Sequence, residues 1–137
     1  MMSLPELSTV ARWNLNIKII LLNNKGHGMC RQTQRQWLGG TYPATSIEGG
    51  LGFPDFVKTA EAFGKFCVGR ITCLEEAPRI LREAFSCNDP TLVEIDIHPD
   101  AQLIPQARYG MPIEDGEPAL PREELAAQMH MSATAPT

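Results

Sequence analysis

The chain has 137 residues, an apolar fraction of 43% and a formal net charge of −4. That length suits one domain with a real core, and twelve scattered basic residues exclude a nucleic-acid-binding face. No apolar stretch approaches the roughly 20 residues that span a bilayer, and Met1 to Glu6 lacks the basic-then-apolar pattern of a secretory leader, so the expectation is a cytoplasmic protein with neither nucleic acid nor membrane as partner.

Ser3-Leu4-Pro5-Glu6 has capping-box spacing, with Pro5 tolerated in a first turn. Leu4, Leu7, Val10 and Ala11 then recur at helical spacing, which predicts a helix to about Trp13. Asn14-Leu15-Asn16 breaks it. Ile17 to Leu22 is almost continuously apolar and half β-branched, the pattern of a strand buried on both faces of a parallel sheet. Asn23 and Asn24 stop that strand, and a turn with Gly26 and Gly28 leads into a second helix, Met29 to Leu38.

Residues 39–53 carry five glycines and read as a mobile surface loop, a flexible connector. Pro54-Asp55-Phe56 opens a third helix ending at Phe63, with Gly64 as its stop. Lys65 to Ile71 is strand-like. Thr72 to Ser86 has Leu74, Ala77, Ile80, Leu81 and Ala84 at helical spacing, and Thr91 to Ile97 is the last strand. Residues 98–121 read as an extended tail, Pro121 to Met131 as a short helix, and 132–137 as disordered. Strands alternating with helices imply parallel pairing, an α/β fold with an open parallel sheet and flanking helices.

The cysteines Cys30, Cys67, Cys73 and Cys87 form no Cys-x-x-Cys pair, so they are expected to be buried free thiols. The turn after the first strand concentrates the chemistry. An Asn side chain offers a neutral oxygen, a hard donor suited to Mg²⁺. Glycines let a ligand approach the main chain, and the N–H groups that open a helix form an anion site. Asn-Asn-x-Gly is equally the make-up of an ordinary strand-to-helix turn.

Ser3 to Thr9, Ile17 to Asn24, Gly28-Met29, Pro54 to Lys58, Ala60 to Gly64 and Pro90 to Ile95 stand in an order and spacing that carry a family resemblance. Residues 1–100 resemble the C-terminal thiamine diphosphate-binding domain of the acetolactate synthase-like family. Met111 to Asp115 and Leu120 to Glu124 are similar to a branch of it tied to surface-polysaccharide sugars.

The resemblance implies a part of a carboligase or decarboxylase acting on a 2-oxo acid such as pyruvate. It implies Mg²⁺ held by the Asn24 side chain and the Gly26 carbonyl, and a diphosphate wrapped by Asn24, Lys25, Gly26, His27, Gly28 and Met29. The family motif opens with Gly-Asp-Gly about thirty residues before its Asn pair. That half has no counterpart in residues 1–137, nor has the N-terminal domain whose glutamate activates the cofactor ring. The fold is therefore expected to be incomplete on its N-terminal side, with residues 1–100 a partial cofactor domain and 101–137 the tail. The missing aspartate strand should lie beside Ile17 to Leu22, leaving an apolar edge prone to association.

Activity is expected only when these residues are joined to the missing N-terminal portion, as a split subunit or a piece of a longer chain; the expected assembly is a homo-oligomer or a complex with a complementing N-terminal subunit, and FAD is expected only in a full-length enzyme. No catalytic acid or base is assigned. Glu6, Glu48, Asp55 and Glu61 read as helix-end or solvated charges. The alternative is a non-catalytic fragment or assembly subunit that retains the fold.

Overall fold

The computed structural model describes residues 3–108 and 110–130. The expected disorder of 132–137 lies outside them. Three parallel strands, β1 (Lys18–Asn23), β2 (Cys67–Ile71) and β3 (Thr91–Asp96), form a sheet in the order β1-β3-β2. Lys18 pairs with Thr91 and Asn23 with Asp96 on one side, while Cys67 pairs with Thr91 and Ile71 with Ile95 on the other. The open parallel α/β architecture is as expected.

Alternation along the strands builds two cores. Leu92 of β3, with Ile19, Leu21 and Val68 around it, meets Leu7 of α1 (Glu6–Arg12) and Phe56 and Ala60 of α3 (Phe56–Phe63). Val93, on the opposite face with Ile71 and Ile95, meets Ile80 and Ala84 of α4 (Ala77–Ser86). Gly69 sets how closely α4 can approach, because a Cβ there would stand 2.8 Å from Ile80 Cγ2. Burial of Leu92 and Val93, at 2% and 0% exposure, makes β3 the spine of the domain.

Several elements begin later than the sequence pattern suggests. The Ser3 capping box does not form: α1 starts at Glu6, its N-cap position is Pro5, and no side chain caps it. The helix expected from Thr72 is a 3₁₀ turn, Leu74–Glu76, followed by α4. Pro78 lies in the first turn of α4, where its missing N–H costs nothing. It could not have continued a helix from Thr72. The second helix, α2, runs from Gly28 to Trp37, and α5 from Arg122 to Gln128.

The four cysteines depart from expectation. Cys67 and Cys87 form a disulfide, and Cys30 and Cys73 are free but exposed. The cause is topological. A helix crossing back over a parallel sheet ends at the edge where the next strand begins, so the last turn of α4 meets the first residue of β2.

β1 pairs only with β3 among the described residues. Ile20 and Leu22 point to the α4 side of the sheet, but α4 packs on β2 and β3, and Leu22 stays 63% exposed. The expected apolar edge is therefore present, but the burial on both faces expected of this strand is not: its α4-side face stays exposed because α4 packs on the other two strands. Pro99, Asp100, Ala107 and Glu117 of the segment after β3 lie along α2. Gln32 donates to the Ala107 carbonyl at 3.3 Å and Gln36 to the Glu117 carboxylate at 3.2 Å. Gln106 and Glu117 exchange backbone hydrogen bonds of 3.0 and 2.8 Å.

Candidate functional site

β1 delivers Asn23 and Asn24 to the carboxyl edge of the sheet, and their fates differ. Asn23 is buried and structural. Its Nδ2 donates to Glu94 Oε1 at 2.6 Å, while its Oδ1 accepts from the Lys25 N–H at 3.0 Å. Asn24 belongs to the turn itself, with Oδ1 accepting from the Gly26 N–H at 3.3 Å. Lys25 has φ 55°, and its ammonium pairs with Asp96 at 2.7 Å, directly across from the end of β1.

The rest of the turn is pinned by loop 39–53. Gly26 bridges Ser46, and the His27 N–H donates to the Thr45 carbonyl at 3.0 Å. A Cβ on Gly26 would lie 2.7 Å from that same carbonyl, so a side chain would force the loop away. The His27 carbonyl accepts from the Arg31 N–H at 2.9 Å and starts α2. Its ring stands edge-on to Phe53 at 6.3 Å. Thus backbone groups of His27 hold the turn, while the ring packs.

No side chain caps α2. The N–H groups of its first turn, from Gly28 onward, are left for an outside acceptor. They border a groove of about 490 Å³ lined by Leu22, Asn24, Gly26, His27, Gly28 and Met29, among others. All six residues singled out from the sequence occur in this one turn. A hard oxygen from Asn24 and helix-opening N–H groups in one groove can hold a metal-bridged diphosphate. Among the described residues, the group of three potential side-chain metal ligands is Cys67, Cys87 and Asp89, at the opposite edge, with both sulfurs in the disulfide.

Below the turn runs a polar chain that the sequence pattern did not reveal. Glu94 is 3% exposed in the middle of β3. Its Oε2 accepts from Arg70 Nε at 3.1 Å and Nη2 at 2.9 Å, and Arg70 Nη2 also reaches Asp55 Oδ1 at 2.8 Å. The register explains this: Arg70 is opposite Glu94, and Asn23 is one step along the same face. The Glu94 hydrogen bond raises the Arg70 pKa. The Lys58 N–H, donated to Asp55 where it caps α3, lowers the Asp55 pKa, helped by Arg70. The only local signal was one carboxylate inside Leu92-Val93-Glu94-Ile95.

Residues 1–95 match the family model described as the C-terminal TPP binding domain of thiamine pyrophosphate enzymes. The chain belongs to this family. The chain is 36% identical over 122 residues to an acetolactate synthase large subunit of Corynebacterium glutamicum, covering 87% of this chain and 19% of that protein. A probable acetolactate synthase large subunit of Methanococcus aeolicus is 33% identical over 103 residues, covering 75% and 16%. For the acetolactate synthase large subunit of Porphyra purpurea the figures are 32% over 111 residues, covering 80% and 18%. The chain thus spans less than a fifth of the length of these curated relatives. In the thiamine pyrophosphate enzyme domain as folded here, Asn24 and the start of α2 occupy the carboxyl edge of a parallel sheet, the usual place for ligands in such folds.

Proposed function

We propose that this domain is the diphosphate- and Mg²⁺-binding part of a thiamine diphosphate-dependent carboligase or decarboxylase acting on a 2-oxo acid such as pyruvate. The observation that carries the reading is the groove where the Asn24 amide and the first N–H groups of α2 meet. Asn24 Oδ1 and the Gly26 carbonyl would ligate Mg²⁺, and Lys25, His27, Gly28 and Met29 would complete the wrap around the diphosphate. These donors fit the ion in kind, being hard neutral oxygens. They are two of the several oxygens it takes, so the diphosphate and a carboxylate from a complementing N-terminal portion would supply the rest. The cofactor supplies the carbanion-stabilising chemistry when bound, and this chain anchors it.

Residues 1–100 would be the cofactor domain and 101–137 a tail with a short helix, a division supported by the family match over residues 1–95. No helix among the described residues is long and apolar enough to cross a membrane. A cytoplasmic site of action belongs to this proposal, and the Cys67–Cys87 bond tests it, because cytosolic conditions keep most such pairs reduced. The uncovered β1 edge favours a second reading, a non-catalytic assembly piece that keeps the fold.

Calorimetric titration with thiamine diphosphate and Mg²⁺, against Asn24→Ala, separates the two. Metal-dependent binding that the variant loses supports the cofactor reading. No binding at millimolar cofactor refutes it for this chain and leaves the assembly piece.

A further inference from the structure

A second concentration of donor atoms lies at the amino edge of the sheet, the end away from the Asn24 turn. Cys67 opens β2, Cys87 follows the last residue of α4, and Asp89 stands in the turn before β3. One ligand atom from each, two sulfurs and a carboxylate oxygen, lies within 4.8 Å of the other two, and all three residues are half-buried. Backbone hydrogen bonds fix the supports. The Cys67 N–H donates to the Pro90 carbonyl at 2.8 Å, and the Cys87 N–H to the Glu83 carbonyl at 3.1 Å. Lys18 gathers the intervening turn, its ammonium donating to the carbonyls of Cys87 and Asp89 at 2.6 and 3.0 Å.

Three details go beyond what a structural disulfide needs. The Asp89 N–H donates to Cys87 Sγ at 3.4 Å. A disulfide sulfur is a weak acceptor, whereas a metal-bound thiolate takes such a bond readily. Two ammonium groups attend the turn that carries one carboxylate: Lys18 at its carbonyls, and Lys65 at 2.7 Å from the Asp89 carboxylate. Two thiolates and a carboxylate around a divalent ion carry excess negative charge, and the two lysines offset it. Finally, a cavity of about 360 Å³ on the α4 side is lined by Cys67 and Cys87 together with Gly69, Ile80 and Glu83. It gives an ion a way in and room for a further ligand.

We infer that Cys67, Cys87 and Asp89, once the disulfide is reduced, bind a thiophilic divalent cation such as Zn²⁺, with one position left for water. Thiolates select zinc over Mg²⁺, and two thiolates, a carboxylate and a water complete its tetrahedron. The two Cα atoms are 6.8 Å apart. Side-chain rotation then suffices to part the sulfurs to about 3.8 Å, the span across a tetrahedral ion with Zn–S bonds of about 2.3 Å. The step balances. A dithiol gives two electrons and two protons to the Cys67–Cys87 bond and leaves as its own disulfide, and the ion displaces both thiol protons into solvent. The same cysteines thus join α4 to β2 covalently when oxidised and through the metal when reduced. The site shares no residue with the cofactor groove, so it does not rest on the function proposed above.

The full chain carrying Cys30→Ser and Cys73→Ser, which keeps only the Cys67 and Cys87 thiols, is reduced with a dithiol, desalted without oxygen and titrated with Co²⁺. The thiolate-to-cobalt charge-transfer band is expected to saturate at one ion per chain and to vanish when one equivalent of Zn²⁺ displaces the cobalt. The same protein with its disulfide intact gives no band. Cys87→Ser abolishes the band, and Asp89→Asn weakens binding about tenfold or more. Zn²⁺ raises the urea midpoint of the reduced chain, because the ion binds the folded form. A reduced chain without the band, a band of equal strength in the oxidised chain or in Cys87→Ser, or a midpoint that Zn²⁺ leaves unmoved overturns the site. An Asp89→Asn titration equal to that of the parent overturns the carboxylate as a ligand. Thiamine diphosphate is absent throughout, so failure here leaves the proposed function standing, and failure of the cofactor titration leaves this site standing.

Discussion

Glu94→Gln tests the polar chain beneath the turn with almost no change of volume. Glu94 is 3% exposed and accepts from both Asn23 and Arg70. A glutamine offers one oxygen and one NH₂. If the oxygen serves Arg70, the NH₂ faces Asn23 Nδ2, donor against donor. Asn23 cannot turn over freely, because its Oδ1 already takes the Lys25 N–H. A buried donor left unpaired costs about 1–3 kcal/mol.

Losing a fully buried ion pair would cost about 3–5 kcal/mol, but the Arg70 side chain is 42% exposed and keeps Asp55, so that contribution must be discounted. Together these give about 2 kcal/mol. With a urea m-value of about 1–3 kcal/mol/M, the unfolding midpoint should fall by about 1 M. A double-mutant cycle with Arg70→Ala should show a coupling of about 1 kcal/mol. A midpoint unchanged within about 0.2 M, or strict additivity in the cycle, would refute the claim that Glu94 joins Asn23 to Arg70. Because Asn23 adjoins Asn24, any cofactor binding should weaken in parallel.

The Asp55 cap has a pH signature. Its folded pKa is depressed below that of an ordinary aspartate, chiefly by the Lys58 N–H, so its contribution is present above the unfolded pKa and is lost as pH falls through the folded one. Asp55→Asn should keep the cap but flatten the acid limb of a stability–pH curve, and an unchanged limb would contradict this. The disulfide closes a loop between residues separated by 20 in sequence, for which chain entropy predicts about 3 kcal/mol. A reductant should lower the urea midpoint, and a thiol assay without reductant should count two reactive groups, Cys30 and Cys73. Four reactive thiols would contradict the bond. The β1 edge should make the chain associate at high concentration, and Leu22→Lys should suppress this. A wild-type monomer in sedimentation velocity at high concentration would refute that expectation.

Local chemistry accounts for much of what the sequence determined alone. The run Ile17 to Leu22 makes a strand of the sheet, though Ile20 and Leu22 on one of its faces stay exposed, Pro54-Asp55 can begin a helix, and Gly64, with φ 147°, can end one. The turn Asn24 to Met29 is legible for the same reason: its amide oxygen, glycines and helix start are neighbours in sequence. Three things required the tertiary structure. Asn23 meets Glu94, Cys67 meets Cys87, and Arg31 meets Asp100 across gaps of 71, 20 and 69 residues. Each contact follows from β3 inserting between β1 and β2 and from the direction of the helix or tail that follows. Periodicity carries a residue's face but not its neighbour, so a carboxylate, a thiol or an arginine looks solitary until strand order and register place its partner beside it.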